Sequence, residues 1–522
     1  MWQPLKLVLL LGASTSSALR ILKRQSEPTF DWSSIEPTRE LNYHPCYDGH
    51  KCARLKIPLD WRKNCSSKDW VAIGITTLPA TVSEDDDSFG GTVLINPGGP
   101  GGAGTEMVLD YGPYLQAILE GDRHYEILGF DPRGVGSSTP SADCYGDELN
   151  RAADRLQSAA LPPVVSGEQG LAYHYQAAKG LGDLCAEKGP KSIFNYMSTA
   201  SVARDMLEII ERVDDLRYNT TVATRNDRDA SKLQYIGVSY GTVLGNTFAS
   251  MFPERIGRIV LDGVADAEDF VSGTWLKNIN DAEEVISHFY DTCFDAGKDC
   301  SLRQKSDKDA SDIKSRVDDL IKTLEEAPTP TTPAQYGAIG RDDVCAEPSK
   351  SDPQTTYRWS DEAGMGVLCG DSAALAGDRD ISWAEGIVAS LNEQSPTAGE
   401  PWSRIPLSCS GWSFRPKYTF TGPFGINATS DNSSAPLLIL SNRHDHATPL
   451  ANAEAVTKKY PGSALVVQES YGHCALLTSK SACTAKHVRK YFDTGKVPKD
   501  GTVCEEDCKP SIPFDACPGF AE

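Results

Sequence analysis

Several features that would point to common functions are missing from this chain of 522 residues. No phosphate-binding loop ending in Gly-Lys-Ser/Thr occurs, and no Gly-x-Gly-x-x-Gly opens a helix in a convincing dinucleotide-binding context. Basic residues are outnumbered, because 51 Lys and Arg stand against 72 Asp and Glu and give a formal net charge of −21. Such a surface disfavours nucleic acid and anionic membranes and suits cationic or neutral ligands. We therefore expect no nucleic-acid partner, no metal site and no cofactor.

Long apolar runs are also missing. The amino-terminal run from Leu7 to Leu11 is much shorter than the roughly 20 residues that a membrane-spanning helix needs. It follows Lys6 and precedes small residues that end at Ala18, the pattern of a secretory signal peptide over residues 1–18. The dibasic pair Lys23-Arg24 predicts a processing site that ends a short propeptide, residues 19–24. We expect a secreted protein without a membrane segment.

Cysteines, by contrast, are numerous. Fifteen cysteines behind a signal peptide predict disulfides formed in an oxidising compartment, with at least one thiol unpaired or paired outside the chain. Local bridges are predicted for Cys46/Cys52 and Cys293/Cys300, and the other pairings stay open. The Cys504-x-x-x-Cys508 spacing would also suit zinc, although disulfides are favoured here. Four sequons predict glycosylated surface loops: Asn64, Asn219, Asn427 and Asn432.

Short β-rich runs alternate with helical segments, which is typical of an α/β domain with a largely parallel sheet. Several runs are apolar throughout, as strands buried on both faces should be. The predicted strands are Val71–Leu78, Thr92–Asn96, Tyr125–Phe130, Leu233–Val238, Arg258–Asp262, Pro436–Ser441 and Ala464–Gln468.

The alternation stops between about residues 266 and 425. A helix is predicted over Ile279–Cys293, a second helical pattern starts at Ile313, and a proline-rich linker runs from Pro328 to Pro333. We interpret residues 266–425 as a large, mainly helical cap inserted into a sheet domain formed by 25–265 and 426–522. A separate binding module is the alternative, but strands resume at residue 436 and favour an insertion.

The candidate nucleophile is Ser239. It lies in Gly237-x-Ser239-x-Gly241 directly after the predicted strand Leu233–Val238, as a nucleophile elbow requires. In such an elbow the serine adopts a strained backbone conformation, and the flanking glycines avoid collisions with the neighbouring strand and helix. A match to Gly-x-Ser-x-Gly alone is weak evidence in a chain with 44 glycines. Its significance depends on whether the other parts of a hydrolase site are present.

A glycine-rich loop upstream offers the donors of an oxyanion hole. Five glycines lie within residues 96–104, which frees the backbone to turn its amides toward an oxygen. Gly99 is the predicted first donor, with Gly98 its neighbour, and Tyr240 after the nucleophile is the second. A phosphate-binding loop or a plain flexible turn is the alternative.

Two later strands lead to the candidate acid and base. Asp445 follows the strand at 436–441, and His473 follows the strand at 464–468. The order Ser239, Asp445, His473 is that of the α/β-hydrolases. Asp262 is the runner-up acid, and His444 and His446 are rival bases that share the loop of the acid.

Three further residues are given structural roles. Asp131 and Arg133, in the Gly129–Ser137 turn, are expected to brace that turn rather than react. Cys474 is expected to form a disulfide that staples the histidine loop.

Together, these motifs resemble the secreted tripeptidyl aminopeptidase-like (TAP-like) branch of the α/β-hydrolases, with prolyl aminopeptidases more distantly related. They are the Asn96–Gly102 loop, the Gly129–Ser137 turn, Gly-Val-Ser-Tyr-Gly and the Asp445 and Gly472-His473 loops. The likeness covers roughly residues 40–510 and makes 426–522 the TAP-like carboxyl-terminal region.

The resemblance implies a cap that restricts the cleft and acidic groups that receive the free amino terminus of a peptide. Glu106 and Asp371 are the candidates for those groups, with a structural or surface role as the alternative for each. The predicted function is a secreted serine exopeptidase that releases short peptides, specifically tripeptides. An esterase or lactonase that uses the same triad on small-molecule esters is the second hypothesis, and a non-enzymatic binding protein is the third.

Overall fold

The structure is a computed structural model that describes residues 30–63, 69–218, 231–327, 361–373, 376–426 and 435–508. The predicted signal peptide, the propeptide and the sequons at Asn64, Asn219, Asn427 and Asn432 lie outside these residues.

A ten-stranded sheet organises the described residues. The strands are β1 (His44–Cys46), β2 (His50–Pro58), β3 (Trp70–Leu78), β4 (Phe89–Asn96), β5 (His124–Phe130), β6 (Leu233–Val238), β7 (Ile256–Asp262), β8 (Leu438–His444), β9 (Ala464–Tyr471) and β10 (Thr502–Glu505). Their order is β1-β2-β3-β5-β4-β6-β7-β8-β9-β10. The β1/β2, β2/β3 and β3/β5 pairs are antiparallel, and all the pairs from β5/β4 onward are parallel. The mostly parallel sheet of an α/β-hydrolase is therefore confirmed.

Fourteen α-helices accompany this sheet within the described ranges. They are α1 (Gly104–Leu119), α2 (Glu148–Ala159), α3 (Glu168–Ala186), α4 (Thr199–Arg217), α5 (Tyr240–Met251), α6 (Ala267–Ser272), α7 (Ala282–Asp295), α8 (Ala310–Glu326), α9 (Asp361–Asp371), α10 (Ile381–Gln394), α11 (Gly399–Ser408), α12 (Leu450–Lys459), α13 (Ala475–Thr478) and α14 (Ala482–Thr494). None of the helices in these ranges has the length and apolarity of a membrane span.

The central strands are buried on both faces. Val93 and Ile95 belong to one apolar cluster and Leu94 to another, because successive side chains of a strand point to opposite faces. Helices α1 and α14 supply residues to the first cluster, whereas α4 and α5 supply residues to the second. This two-sided burial explains why the strands are apolar throughout.

The seven predicted strands are all present, with ends that differ by a few residues. The sequence did not predict β1, β2 and β10, and helix α7 (Ala282–Asp295) starts three residues later than predicted. In the described parts of the chain between β7 and β8, the regular elements are helical, from α6 to α11. The boundaries of the cap at 266 and 425 stay a prediction.

Five disulfides have both cysteines in the described residues. The predicted Cys46–Cys52 and Cys293–Cys300 bridges are confirmed, and the others are Cys144–Cys185, Cys369–Cys409 and Cys483–Cys504. Cys508 is also disulfide-bonded, so neither cysteine of the Cys504-x-x-x-Cys508 pair is a free thiolate for zinc. The predicted disulfide at Cys474 is wrong, because this cysteine is free and buried.

Candidate active site

The loops that carry the predicted residues lie at one edge of the sheet. The glycine-rich loop follows β4, Ser239 follows β6, Asp445 lies just after β8, and His473 just after β9. These strands are parallel, so their carboxyl ends meet at the same edge. Residues far apart in the sequence are thereby brought together.

Ser239 occupies a strained turn between β6 and α5. Its φ of 58° and ψ of −125° lie in a region that residues with a side chain rarely adopt. A Cβ atom on Gly237 would lie 2.3 Å from the carbonyl oxygen of Gly241, and one on Gly241 would lie 2.7 Å from that of Asn96. Both flanking positions therefore require glycine, for the steric reason that the motif predicts.

The glycine-rich loop is pressed against this turn. A Cβ atom on Gly98 would lie 2.5 Å from the carbonyl oxygen of Val238 and 2.9 Å from the backbone nitrogen of Tyr240. The Gly98 N–H is committed, because it donates to the side-chain oxygen of Asn96 at 3.0 Å. No acceptor in the described residues takes the Gly99 N–H, and Tyr240 is in the first helical turn, where N–H groups have no partner inside the helix. The two predicted donors are thus available on either side of the serine.

His473 and Asp445 are directly hydrogen-bonded. The His473 Nδ1 lies 3.0 Å from both carboxylate oxygens of Asp445. Because a carboxylate only accepts, Nδ1 carries the proton and donates it, which leaves Nε2 as the basic nitrogen. Asp445 is fully buried, whereas the His473 side chain is 29% exposed. The arrangement orients the imidazole and keeps one side of it accessible.

Asp445 is kept ionised by a set of donors. Its carboxylate accepts the N–H groups of Ala447, Thr448 and Cys474 at 2.9 Å and the Thr448 hydroxyl at 2.7 Å. Burial alone would raise its pKa, but His473 and these hydrogen bonds outweigh burial and lower the pKa to about 2. Burial alone would lower the pKa of His473. The charge of Asp445 and its hydrogen bond to the imidazole outweigh burial, so the pKa of His473 is raised. The pair can therefore hold a positive imidazolium beside a fixed negative charge.

The pairing of His473 with Asp445 predicts the pH below which Ser239 loses its reactivity. Only neutral His473 can accept a proton, and its pKa is raised above the ordinary value of 6.5. We therefore expect the rate of Ser239 labelling by a fluorophosphonate to fall as pH decreases, with a midpoint above 6.5. The pseudo-first-order labelling rate measured from pH 5 to 9 checks this, since the probe carries no titrating amine. A midpoint well below 6.5 would contradict the assigned pairing.

The runner-up acid is held in a different environment. Both carboxylate oxygens of Asp262 accept backbone N–H groups, from Ala475 at 2.7 Å and from Leu476 at 2.9 Å. Burial raises the pKa of Asp262 to about 6 against these hydrogen bonds. Asp262 therefore fixes the start of helix α13 behind the histidine loop, and His473 Nδ1 bonds to Asp445 instead.

The rival bases are engaged elsewhere. His444 stacks on the ring of Tyr471 with centroids 4.8 Å apart, and His288 of α7 stacks on the same ring at 3.7 Å. His446 packs edge-on against His473, with ring centroids 6.1 Å apart, and burial lowers its pKa. Among the described residues, neither rival base is hydrogen-bonded to a carboxylate, whereas His473 is.

Cys474 packs behind the loops that carry Ser239 and His473. Its Sγ lies 2.4 Å from where a Cβ atom on Gly263 would be, and the thiol is in contact with the Ser239 backbone. Burial, together with the charges of Asp262 and Asp445, raises its pKa well above the ordinary value, so it stays a protonated thiol. The disulfide was predicted from cysteine count alone, which does not say which cysteines have a partner within reach. The residue fills space between β7 and the His473 loop.

Asp131 and Arg133 brace their turn, as expected. The Asp131 carboxylate accepts the Thr105 N–H at 3.0 Å and the Ser137 N–H at 2.7 Å. Arg133 is fully buried and forms an ion pair with Asp205, at 2.5 Å. Both side chains are therefore engaged in structural contacts, Asp131 within its turn and Arg133 with helix α4.

The two candidate amine-binding carboxylates differ in burial. Glu106 is partly exposed in the first turn of α1. Asp371 is 4% exposed, and burial raises its pKa to about 7 against hydrogen bonds from Thr199. Amine binding by either residue stays a prediction, and the environment of Asp371 fits the structural alternative.

Thr448 is a residue that the sequence reasoning missed. Its hydroxyl donates to Asp445 and lies 3.1 Å from His473 Nδ1. The signal was present in Asp445-His-Ala-Thr448, because Asp side chains accept backbone N–H groups two and three residues further on.

Two groups of described residues have the composition of a metal site. Asp445, His473 and Cys474 place their ligand atoms within 4.8 Å of one another, as do Cys483, His487 and Cys504. In the first group the carboxylate and imidazole are hydrogen-bonded to each other, and in the second group the two sulfurs form a disulfide. Both arrangements are explained without a metal ion.

Comparisons with known proteins cover most of the chain. Residues 91–282 match the family described as alpha/beta hydrolase fold, and residues 395–504 match the family described as TAP-like protein. A protein named serine protease Hip1 from Mycobacterium tuberculosis is 26% identical over 494 residues, which span 87% of each chain. A tripeptidyl aminopeptidase of Streptomyces lividans is 24% identical over 494 residues, spanning 88% of this chain and 84% of that protein. A protein named carboxylesterase B from Mycobacterium tuberculosis is 26% identical over 490 residues, spanning 87% and 86%.

Proposed function

Because the chain is an α/β-hydrolase of the TAP-like branch, we propose that it is a secreted serine exopeptidase whose nucleophile is Ser239. The hydrogen bond between His473 and Asp445, at the sheet edge that also carries the strained Ser239, is the observation that supports this best. A strained serine at the same sheet edge as an oriented imidazole is the arrangement that acyl transfer needs. Asp445 and His473 are the proposed acid and base.

The proposed reaction proceeds through an acyl-enzyme. His473 Nε2 accepts the proton of Ser239 Oγ as this oxygen attacks the carbonyl carbon, and the resulting imidazolium is stabilised by Asp445. The imidazolium then gives its proton to the leaving amine as the C–N bond breaks. Water, deprotonated by the same histidine, adds to the acyl-enzyme and releases the acid and free Ser239.

The proposed oxyanion hole consists of the N–H groups of Gly99 and Tyr240. Negative charge develops on the carbonyl oxygen during attack, and fixed N–H donors stabilise it. Gly99 has a φ of 105°, a conformation that suits glycine alone, and its loop packs against Tyr240 N. A side chain at either Gly98 or Gly99 would move these donors.

Three observations support the finer parts of the proposal. The similarity to a tripeptidyl aminopeptidase over 88% of the chain favours release of tripeptides from a free amino terminus. The disulfides of the described residues favour an oxidising compartment, and hence secretion. The negative net charge suits a substrate with a protonated amine.

Amine dependence is the property that tests the exopeptidase proposal. A tripeptidyl amide reporter with a free amino terminus should be hydrolysed, and acetylation of that terminus should lower kcat/KM by about 100-fold, since it removes a charge that the cleft must pair. Initial rates with tripeptidyl, aminoacyl and N-acetylated tripeptidyl amides measure this directly. Ser239→Ala protein, prepared in parallel, gives the background from contaminating peptidases.

An esterase is the second candidate, favoured by the 26% identity to a protein named carboxylesterase B. Simple esters of short acids should therefore be included in the same series. Ester turnover that depends on Ser239, without amide turnover, would replace the exopeptidase proposal by the esterase. Hydrolysis of free and acetylated peptides at equal rates would exclude an exopeptidase that recognises the amine.

A further inference from the structure

Asp371 is joined to the residue that follows the nucleophile. It is the last residue of α9, and its Oδ2 accepts both the N–H of Thr199 at 2.9 Å and the Thr199 hydroxyl at 2.5 Å. Thr199 opens helix α4, where N–H groups lack partners within the helix. The carboxylate therefore accepts an N–H group that has no partner within the helix, and it fixes the direction in which the threonine hydroxyl donates.

The same hydroxyl is also hydrogen-bonded to Tyr240. The Thr199 Oγ1 lies 2.6 Å from the phenol oxygen of Tyr240. Since Thr199 gives its single proton to Asp371, it accepts the proton of Tyr240. Burial and the charge of Asp371 raise the pKa of Tyr240 well above its ordinary value, so the phenol keeps the proton that it donates.

Tyr240 is also held by packing. Its side chain is 5% exposed, and its ring packs on Phe270 of α6 with centroids 5.4 Å apart. A ring contact limits how far the ring can tilt, whereas the hydrogen bond to Thr199 fixes the distal end. Because backbone and side chain share one Cα, anchoring the phenol restrains the first turn of α5 next to the strained Ser239.

Helix α9 also contacts the other side of the proposed oxyanion hole. A Cβ atom on Gly364 would lie 2.7 Å from the carbonyl oxygen of Pro100, the residue after Gly99. One helix from the predicted cap thus packs on the loop of one donor and is hydrogen-bonded through Thr199 to the other. A displacement of α9 would disturb both donors.

We propose that Asp371 is a positioning residue for the oxyanion hole, which acts through Thr199 on Tyr240 and so couples the seating of helix α9 to the reactivity of Ser239. This inference rests on the proposed function, because it takes the Tyr240 N–H as an oxyanion donor. It assigns to Asp371 a role different from amine binding. The peptide amine is then received by other groups.

The test compares two single variants with the double variant. Asp371→Asn and Tyr240→Phe should each lower the second-order rate of fluorophosphonate labelling and kcat by about 10-fold, with KM changed less than twofold. The double variant should be no slower than the slower single variant, because both substitutions break the same chain of hydrogen bonds. Glu385→Gln removes an exposed carboxylate of α10 and should leave the labelling rate unchanged.

Thr199 gives a second route if Asp371→Asn fails to fold. Thr199→Ser keeps the hydroxyl and should retain the labelling rate, whereas Thr199→Val should lose about as much as Asp371→Asn. A lower melting temperature with an unchanged labelling rate would reduce Asp371 to a structural residue and overturn the proposal. The proposal would also be overturned if the double variant lost labelling rate by the product of the two factors lost in the single variants.

Two other outcomes are distinguishable. If Asp371→Asn raises KM for free-amine peptides but leaves fluorophosphonate labelling and kcat unchanged, Asp371 binds the amine and the positioning role is wrong. If folded wild-type protein is not labelled at Ser239, the proposed function itself fails and the positioning role fails with it.

Discussion

Ser239→Ala is expected to abolish hydrolysis, with kcat lowered by at least about 10⁴-fold. Without Oγ no acyl-enzyme can form, and the oxyanion donors alone give only slow attack by water. The fold should persist, because the backbone of Ser239 makes its structural hydrogen bonds: its N–H donates to the Asp262 carbonyl at 3.0 Å and its carbonyl accepts the Thr242 N–H at 2.8 Å, and alanine retains both. Initial rates on the preferred reporter measure the loss, and the melting temperature measures the fold.

Ser158→Ala is the matched control, since Ser158 is an exposed residue of helix α2 and lies outside the loops that carry the proposed site. It should retain both activity and fluorophosphonate labelling. Ser239→Ala should lose both together. Activity of Ser239→Ala protein within tenfold of the wild-type value would show that another group is the nucleophile.

Asp445→Asn is expected to lower kcat/KM by about 10⁴-fold, through the wrong histidine tautomer. An asparagine side chain has one accepting oxygen, but five donors converge on Asp445: the N–H groups of Ala447, Thr448 and Cys474, the Thr448 hydroxyl and His473 Nδ1. The amide NH₂ would face some of these donors, so the protein should also be less stable. With the carboxylate gone, burial should lower the pKa of His473, because the charge and hydrogen bond of Asp445 raise it most and the charge of Asp262 raises it less.

The measurement is kcat/KM together with the pH dependence of labelling. The maximal rate should fall while the acid midpoint moves to lower pH. Asp262→Asn is the comparison, since it also alters a buried carboxylate of the same region. It should lower the melting temperature by loosening Ala475 and Leu476, with a much smaller loss of kcat/KM. The opposite ranking of the two variants would make Asp262 the acid.

The sequence was most informative where a local pattern has a steric or periodic cause. The apolar runs predicted seven strands, because only two-sided burial explains them. The glycines of the Ser239 turn were predicted for the collisions that a Cβ atom would meet there, and distances of 2.3 and 2.7 Å bear this out. Strands β1 and β10 were missed because they are three and four residues long and lie at the two edges of the sheet, whereas β2 alternates apolar residues with Arg54 and Lys56 and so has no continuous apolar run.

The chemistry of individual side chains was harder to predict. Cys474 follows His473 directly, yet its thiol is free and buried, so the expected disulfide does not form. Asp371 and Glu106 were chosen as carboxylates near recognisable motifs, but the sequence does not say which way a carboxylate points. The hydrogen bond from Thr199 to Asp371 joins residues 172 positions apart, and no spacing rule predicts it.

The sequence by itself determined seven of the ten strands, the glycines of the Ser239 turn and the chain order of Ser239, Asp445 and His473, because each is a pattern within a few residues or an order along the chain. Only the tertiary structure decided which carboxylate meets the histidine, which cysteine stays free and how helix α9 is joined to Tyr240. Those outcomes depend on the distances between strand ends and helices far apart in the chain. Parallel strand pairing sets these distances, and burial then fixes the charges of the groups that meet.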